Sequence, residues 1–195
     1  SACVAPAPGG AAPAADAPAA AGEPIKIGVS MLFDDLWLTI LRDAITEYAA
    51  TQEGVELIMV DSKEDVATQL SQVENFVTQG VDAIIVNPVD TDATQAMTAA
   101  AETAGVPLVF VNREPVNVDA LPDNQAFVAS DERESGTLET KEVCRLLKEA
   151  GKTEAKIYIM MGELSNQAAV QRTQDIHDVI DSGQCGVTLT ILDKQ

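Results

Sequence analysis

The sequence predicts an α/β protein built on doubly wound, parallel β-sheets. Short β-branched apolar runs alternate with longer stretches in which apolar residues recur at helical spacing, and this unit occurs three times between residues 25 and 104. The runs are apolar throughout, as is typical of strands covered by helices on both faces. Alternation of this kind favours parallel strands joined by right-handed crossovers.

The first half of the chain contains five predicted strands, at residues 25–31, 55–60, 83–86, 108–111 and 126–129. A predicted helix follows each of the first three strands. The first has its apolar stripe between Trp37 and Tyr48, the second between Val66 and Val77, and the third is Ala-rich over residues 93–104. A loop over residues 115–123 separates the last two strands.

From Glu132 onward the pattern predicts a long helix, a strand at 156–161, a helix at about 168–180 and a last strand near 187–192. The apolar face of the long helix contains Leu138, Val143, Leu146 and Leu147. The pattern leaves open whether these elements extend the first sheet or begin another.

Charge excludes one class of partner. The chain has 12 Lys and Arg against 31 Asp and Glu, a formal net charge of -19, without any basic cluster. Phosphate binding needs a basic surface, so we expect no nucleic-acid partner. No apolar run approaches the ~20 residues that span a bilayer. An acidic surface suits a protein that works outside the cell, although simple solubility explains it equally well.

The amino-terminal segment indicates a tether. Ser1, Ala2 and Cys3 look like the end of a bacterial lipoprotein cleavage site, at which a signal peptide is removed and the cysteine receives lipid. Residues 4–22 are almost entirely Ala, Pro and Gly, a spacer composition. We therefore expect residues 1–23 to be an anchor remnant and linker; an incidental cysteine is the alternative.

Assigning Cys3 to lipid leaves two cysteines, Cys144 and Cys185. In an oxidising location they could form a disulfide, and two separate buried thiols are the alternative.

Candidate ligand-binding residues lie directly after the strands, where ligands bind in an open parallel sheet. Aromatic and acidic side chains follow the first strand, and amides, carboxylates and guanidinium groups follow the later ones. The candidates are Phe33, Asp35, Trp37, Asn87, Asn112, Arg113, Asp131, Asn166 and Arg172.

These residue types suit a polyhydroxylated ligand. Asp, Asn and Arg side chains can bridge neighbouring hydroxyls, and an aromatic ring can cover the apolar face of a sugar ring. Each residue also has a structural alternative: Asp34 or Asp35 as a helix cap, Trp37 as core, Asn87 as a turn residue and Arg172 as a solvated helix residue. Their joint placement at strand ends favours binding.

Enzymatic interpretations are weak. Asp34 and Asp35 are adjacent and do not form the facing carboxylate pair of a glycoside hydrolase. His177 is the only histidine, Gly28 stands alone within the first strand, and zinc-like cysteine spacing is absent. We expect no catalysis, no metal and no cofactor.

Seven short segments together carry a family resemblance, at residues 26–29, 33–35, 60–62, 80–83, 87–90, 105–107 and 135–136. From residue 25 to its end the chain resembles the periplasmic sugar-binding proteins of the ribose and galactose type. The resemblance implies two similar α/β lobes that close around one ligand, a monomeric protein outside the cytoplasmic membrane, and ABC permease and ATPase subunits as partners.

Two subgroups of this family compete. Phe33-Asp34-Asp35 and the run 112–115 are similar to the galactose and glucose binders, and Asp35, Trp37, Asn87 and Arg172 fall on family sugar-contacting positions. The galactose type, however, has a His and an Asp where this chain has Asn166 and Ala168, and its calcium loop is missing from residues 147–153.

The runs 161–169 and 123–128 look more like the binding proteins for inositol and the rhizopines, its amino derivatives, and Arg113 fits the ribose and inositol pattern. The resemblance therefore favours an inositol-like cyclitol, with galactose or glucose as the alternative.

The resemblance also implies the domain organisation. Residues 24–131 correspond to the amino-terminal lobe and residues 132–195 to the first part of the carboxyl-terminal lobe, which is expected to be incomplete. A sugar-responsive transcription regulator shares this fold, but it would need a DNA-binding helix-turn-helix where the Ala/Pro spacer lies. Docking of the loaded protein on a signalling receptor is compatible with transport.

Overall fold

The computed structural model describes residues 22–195, so the lipid attachment expected at Cys3 lies outside the described residues. Five parallel strands form the first sheet, in the order β2-β1-β3-β4-β5. They are β1 (Ile25–Met31), β2 (Val55–Asp61), β3 (Ala83–Val86), β4 (Leu108–Val111) and β5 (Gln125–Val128). The predicted parallel sheet is confirmed, and β5 begins one residue earlier than the apolar run suggested.

Helices cover both faces of this sheet, as the doubly wound prediction requires. They are α1 (Leu36–Ala50), α2 (Val66–Gln79) and α3 (Thr94–Ala104). On one face, α2 and α3 pack on a core that includes Phe76, Met97 and Phe110. On the other, α1 places Leu38 against Met31. The central strands β3 and β4 are thus covered by apolar side chains, which explains their apolar sequences, whereas Val128 at the end of the edge strand β5 is exposed.

Gly28 allows one of these helices to lie close to the sheet. A Cβ at this position would stand 2.5 Å from Cγ of Phe76, closer than two carbon atoms can approach. The single glycine in β1 therefore has a packing role, because it makes room for the aromatic ring of α2.

A second, separate sheet follows α4 (Glu132–Glu149). It contains two parallel strands, β6 (Glu154–Ile159) and β7 (Thr188–Lys194), connected through α5 (Gln167–Asp181). The tertiary structure thus resolves what the sequence left open, since these elements begin a new sheet. The strand predicted at 156–161 lies two residues earlier, because its pairing with β7 starts at Glu154 and Thr188.

Cys144 of α4 and Cys185, in the segment before β7, form a disulfide bond in the structure. Both are buried in a small core with Val179, Val187 and Leu189. The bond ties α4 to the start of β7 in a unit that has few other apolar residues to bury. No helix within residues 22–195 has the length and apolarity that a membrane crossing requires.

Replacing both Cys144 and Cys185 by Ala is expected to lower the free energy of unfolding. The cysteines are 41 residues apart. Closing a loop of that length lowers the entropy of the unfolded chain, which stabilises the folded protein by about 4 kcal/mol. Urea denaturation of the oxidised protein and the double variant measures the difference. Reductant should destabilise the unsubstituted protein and leave the variant unchanged; equal midpoints in all samples would contradict the prediction.

Candidate functional site

A cleft opens at the carboxyl ends of β1 and β4 and is bounded on its far side by the loop between β6 and α5. Its volume is about 320 Å³. A neighbouring cavity of about 400 Å³ continues it along α4 and α5, and Asn112, Arg113, Asn166 and Arg172 line both. The seven predicted side chains that line the cleft are Phe33, Asp35, Trp37, Asn112, Arg113, Asn166 and Arg172.

The segment after β1 forms the aromatic wall. Asp35 caps α1, and one of its carboxylate oxygens accepts the Leu38 amide hydrogen bond at 2.6 Å. Asp34 instead accepts a hydrogen bond from the Thr39 hydroxyl and lies 3.4 Å from Arg42. Of the two carboxylates predicted as alternative helix caps, Asp35 is the one that caps α1, and it also lines the cleft.

Trp37 is 57% exposed, so the alternative that it belongs to the core is wrong. It stands one residue before Leu38, the buried anchor of the same helix, so its side chain leaves a different side of α1. Phe33 is half-buried against the core beside Leu38. The two rings offer the cleft apolar surface at different depths.

Asn87 lies beneath the cleft rather than on its wall. It is completely buried, and its side-chain oxygen accepts a hydrogen bond from Nδ2 of Asn112 at 3.3 Å. Its own Nδ2 has no hydrogen-bond partner within residues 22–195. Asn112 has a positive φ of 68°, a conformation that Asn tolerates better than most residues. The pair supports the floor of the site, with Asn112 above and Asn87 below.

Arg113 connects the two sheets. Its guanidinium donates from Nη1 to the Val89 carbonyl at 2.8 Å, after β3, and from Nη2 to the Glu163 carboxylate at 2.8 Å, after β6. A second bridge lies nearby, because the amide and hydroxyl of Thr91 both donate to the Ser165 carbonyl, at 3.1 and 3.2 Å. The loop after β6 is thereby held against the strand ends of the first sheet.

The far wall of the cleft comes from the start of α5. Asn166 caps this helix, its oxygen accepting from the Ala168 amide at 3.1 Å. Arg172 lies beyond it, with Nε donating to the Glu132 carboxylate at 2.5 Å. That hydrogen bond, with smaller contributions from the charges of Glu132 and Glu139, raises the pKa of Arg172, while burial opposes the rise. Arg172 is therefore a paired residue of the cleft rather than a freely solvated one.

Asp131 occupies a different position from the other candidates. It caps α4, accepting from the amides of Arg133 and Glu134 at 3.0 and 3.3 Å. It lines another cavity of about 450 Å³, which shares Glu132 and Ala168 with the cavity along α4 and α5 but does not include the aromatic wall. The structure thus assigns it a helix-capping contact at the crossing between the two sheets and does not bring it to the seven clustered side chains.

Gln69 is a residue that the sequence analysis missed. It is fully buried on α2, and its Nε2 donates to the Asn87 carbonyl at 2.9 Å and to the hydroxyls of Ser30 and Ser62 at 3.3 Å. Its Oε1 accepts from the Val89 amide at 2.8 Å. One side chain thus joins the ends of β1, β2 and β3.

A signal for Gln69 exists in the sequence. Gln69, Val73 and Phe76 follow one another at helical spacing, and the two apolar members are buried. A polar residue on an apolar helical face must find buried partners, so this amide indicates a buried hydrogen-bond network.

The substitution Gln69→Leu is expected to destabilise the protein by about 2–4 kcal/mol, since it leaves a buried amide and a buried carbonyl without partners. Thermal or urea unfolding measures the loss. Gln79→Leu on the exposed end of the same helix serves as the matched control and should change stability by less than about 0.5 kcal/mol. Equal effects of the two substitutions would disprove the role of Gln69.

Within the described part of the chain, no group of three or more His, Cys, Asp or Glu side chains is placed to hold a metal ion.

Comparisons with known proteins agree with this fold. The chain belongs to the periplasmic binding protein family, because the family model described as "Periplasmic binding protein domain" matches residues 27–194. It is 58% identical over 160 residues to a protein of Rhizobium meliloti named for rhizopine binding, a match covering 82% of this chain and 50% of that protein. The xylitol-binding protein of Mycolicibacterium smegmatis is 31% identical, covering 80% of this chain and 42% of that protein.

Among solved structures, an ABC transporter solute-binding protein from Bacillus halodurans, with bound myo-inositol, superimposes with a TM-score of 0.79. It is 36% identical and the match covers 90% of this chain and 58% of that one. The chain thus spans about half the length of the curated relatives it matches.

Proposed function

We propose that this protein is the substrate-binding component of an ABC importer and that it binds an inositol-like cyclitol in the cleft between two lobes. The observation that carries the proposal is the convergence of seven aromatic, acidic, amide and guanidinium side chains in one cleft. A ring that bears hydroxyls around an apolar face matches this combination. The relatives named for rhizopine and xylitol binding support a polyol ligand.

The charges in the cleft favour a neutral or cationic ligand over an anionic one. Arg113 and Arg172 are each already paired with a carboxylate, Glu163 and Glu132 respectively. A phosphate or carboxylate on the ligand would meet guanidinium groups whose charge is already balanced and would be repelled by the carboxylates of Glu163 and Glu132. Hydroxyl groups can instead accept hydrogen bonds from the paired guanidinium groups without breaking either pair.

Two residues support the choice of cyclitol over galactose. Asn166 and Ala168 stand where the galactose-type proteins have His and Asp, and both residues lie at the start of α5 beside the cleft. Ala168 offers a methyl group in place of a carboxylate acceptor. Galactose would therefore lose a carboxylate contact at Ala168 and would meet an amide in place of an imidazole at Asn166; it is the competing ligand.

In this proposal the protein binds its ligand without catalysing a reaction and delivers it to a transporter. Residues 24–131 and 132–195 would supply the amino-terminal lobe and the beginning of the carboxyl-terminal lobe, and ABC permease and ATPase subunits would be the partners. We place the protein outside the cytoplasmic membrane, tethered through lipid on Cys3. The disulfide supports this location, since such bonds persist in oxidising compartments.

Titration calorimetry of the full-length gene product with myo-inositol, galactose, glucose and ribose tests the ligand. We expect myo-inositol to bind at least tenfold more tightly than galactose, about 1.4 kcal/mol, because of the substitutions at Asn166 and Ala168. Tighter binding of galactose would reassign the protein to the galactose subgroup. The absence of heat with all four compounds would contradict a sugar or cyclitol ligand.

Trp37→Ala should weaken binding by about tenfold, since it removes the ring that covers the apolar face of the ligand. Tyr48→Ala is the matched control, because Tyr48 is an exposed aromatic residue on the same helix and outside the cleft. Calorimetry on both variants provides the comparison. If Trp37→Ala binds as tightly as Tyr48→Ala, the aromatic wall does not contact the ligand.

A further inference from the structure

Glu132 is a carboxylate that the sequence analysis did not single out. It is the first residue of α4, and its side chain is only 10% exposed. One oxygen accepts a hydrogen bond from the Ser130 hydroxyl at 3.0 Å, and the other accepts from Nε of Arg172 at 2.5 Å. Both carboxylate oxygens are therefore engaged, one by the segment that joins the two sheets and one by the cleft.

The packing of α4 against α5 makes this contact possible. Gly136 lies one turn after Glu132 on α4, and a Cβ there would stand 2.8 Å from the Cα of Arg172. The same Cβ would stand 2.6 Å from Oδ2 of Asp175. The absence of a side chain at Gly136 lets the two backbones approach closely, so the short reach from Glu132 to the guanidinium is built into the helix pair.

The geometry of the pair determines what Arg172 can offer a ligand. Its only side-chain hydrogen bond among residues 22–195 is made through Nε, and the residue lines the cleft and the adjoining cavity. A guanidinium group is planar with its donors in a fixed fork, so holding Nε orients both terminal amino groups. The side chain of Arg172 is 44% exposed. Without the bond to Glu132 it would sample several rotamers, and binding would then cost the loss of that rotamer entropy.

We propose that Glu132 is a positioning residue for the ligand: held by Ser130, it fixes the guanidinium of Arg172 in the orientation that binds the hydroxyls of a polyol. This inference rests on the proposed function, because it assigns a role within the same site. Glu132 also lines the cavity that continues the cleft, but the role proposed for it is exerted through Arg172. The location of Ser130 between β5 and α4 also connects the orientation of Arg172 to the crossing between the sheets.

A double-mutant cycle on the full-length gene product tests the proposal, with myo-inositol as the probe in calorimetry. Glu132→Ala is expected to weaken binding about three- to tenfold in the unsubstituted background, the range for ordering one rotamer-rich side chain on binding. In the Arg172→Ala background the same substitution should change affinity less than twofold, because the group it orients is gone. Glu132→Gln, which preserves volume, should lose less than Glu132→Ala and serves if the latter does not fold.

Glu142→Ala is the matched control. Glu142 lies on the same helix and pairs with Arg145 at 2.6 Å, on an exposed surface outside the cleft. The Glu142→Ala variant should bind myo-inositol with the same affinity as the unsubstituted protein.

Three results would overturn the proposal. Affinity retained within twofold by both Glu132 variants would show that Glu132 does not orient Arg172. Equal losses in the presence and absence of Arg172 would show a direct ligand contact of Glu132 or a general structural effect, and either would exclude a role exerted through Arg172. Failure of the unsubstituted protein to bind any tested polyol would refute the proposed function together with this role, an outcome distinct from the first two.

Discussion

The common direction of the five strands is the constraint on which the site depends. Parallel strands bring all their carboxyl ends to one edge of the sheet, so residues far apart in sequence become neighbours. Phe33 and Arg113 are 80 positions apart and line the same cleft. The loops at this edge are then tied together, because Gln69 satisfies groups from the ends of three strands. A single buried amide thereby restricts the floor of the cleft.

Charge compensation is the second organising feature. Each guanidinium group of the cleft is paired with a carboxylate that comes from a different element of the chain. Arg113 reaches Glu163 across the gap between the two sheets, whereas Arg172 reaches Glu132 within the second unit. The Glu163 side chain is 57% exposed, so solvent screens part of the first pair. In the second pair the Glu132 side chain is only 10% exposed, so solvent screens this carboxylate less than that of Glu163. The pair of Glu132 and Arg172 is therefore the better candidate for fixing a side-chain orientation.

The second unit, α4 to β7, is held together by a disulfide and by close helix packing rather than by a large apolar core. It has only two strands within the described residues, and its core is small. The disulfide and the close approach at Gly136 compensate by holding α4 to β7 and to α5. These contacts keep Asn166 and Arg172 in place opposite the aromatic wall.

The sequence by itself determined the α/β class, the order of the elements and most of the residues that line the cleft. Hydrophobic periodicity reports which faces are buried, and parallel strands bring the polar residues that follow them to one edge of the sheet. It could not decide between one sheet and two, since strand pairing is a long-range choice that local patterns do not encode. Only the tertiary structure placed Asn87 beneath the cleft, made Asp131 a helix cap and paired Cys144 with Cys185. It also revealed Gln69 and Glu132, whose roles depend on partners that adjacent positions in the chain do not identify.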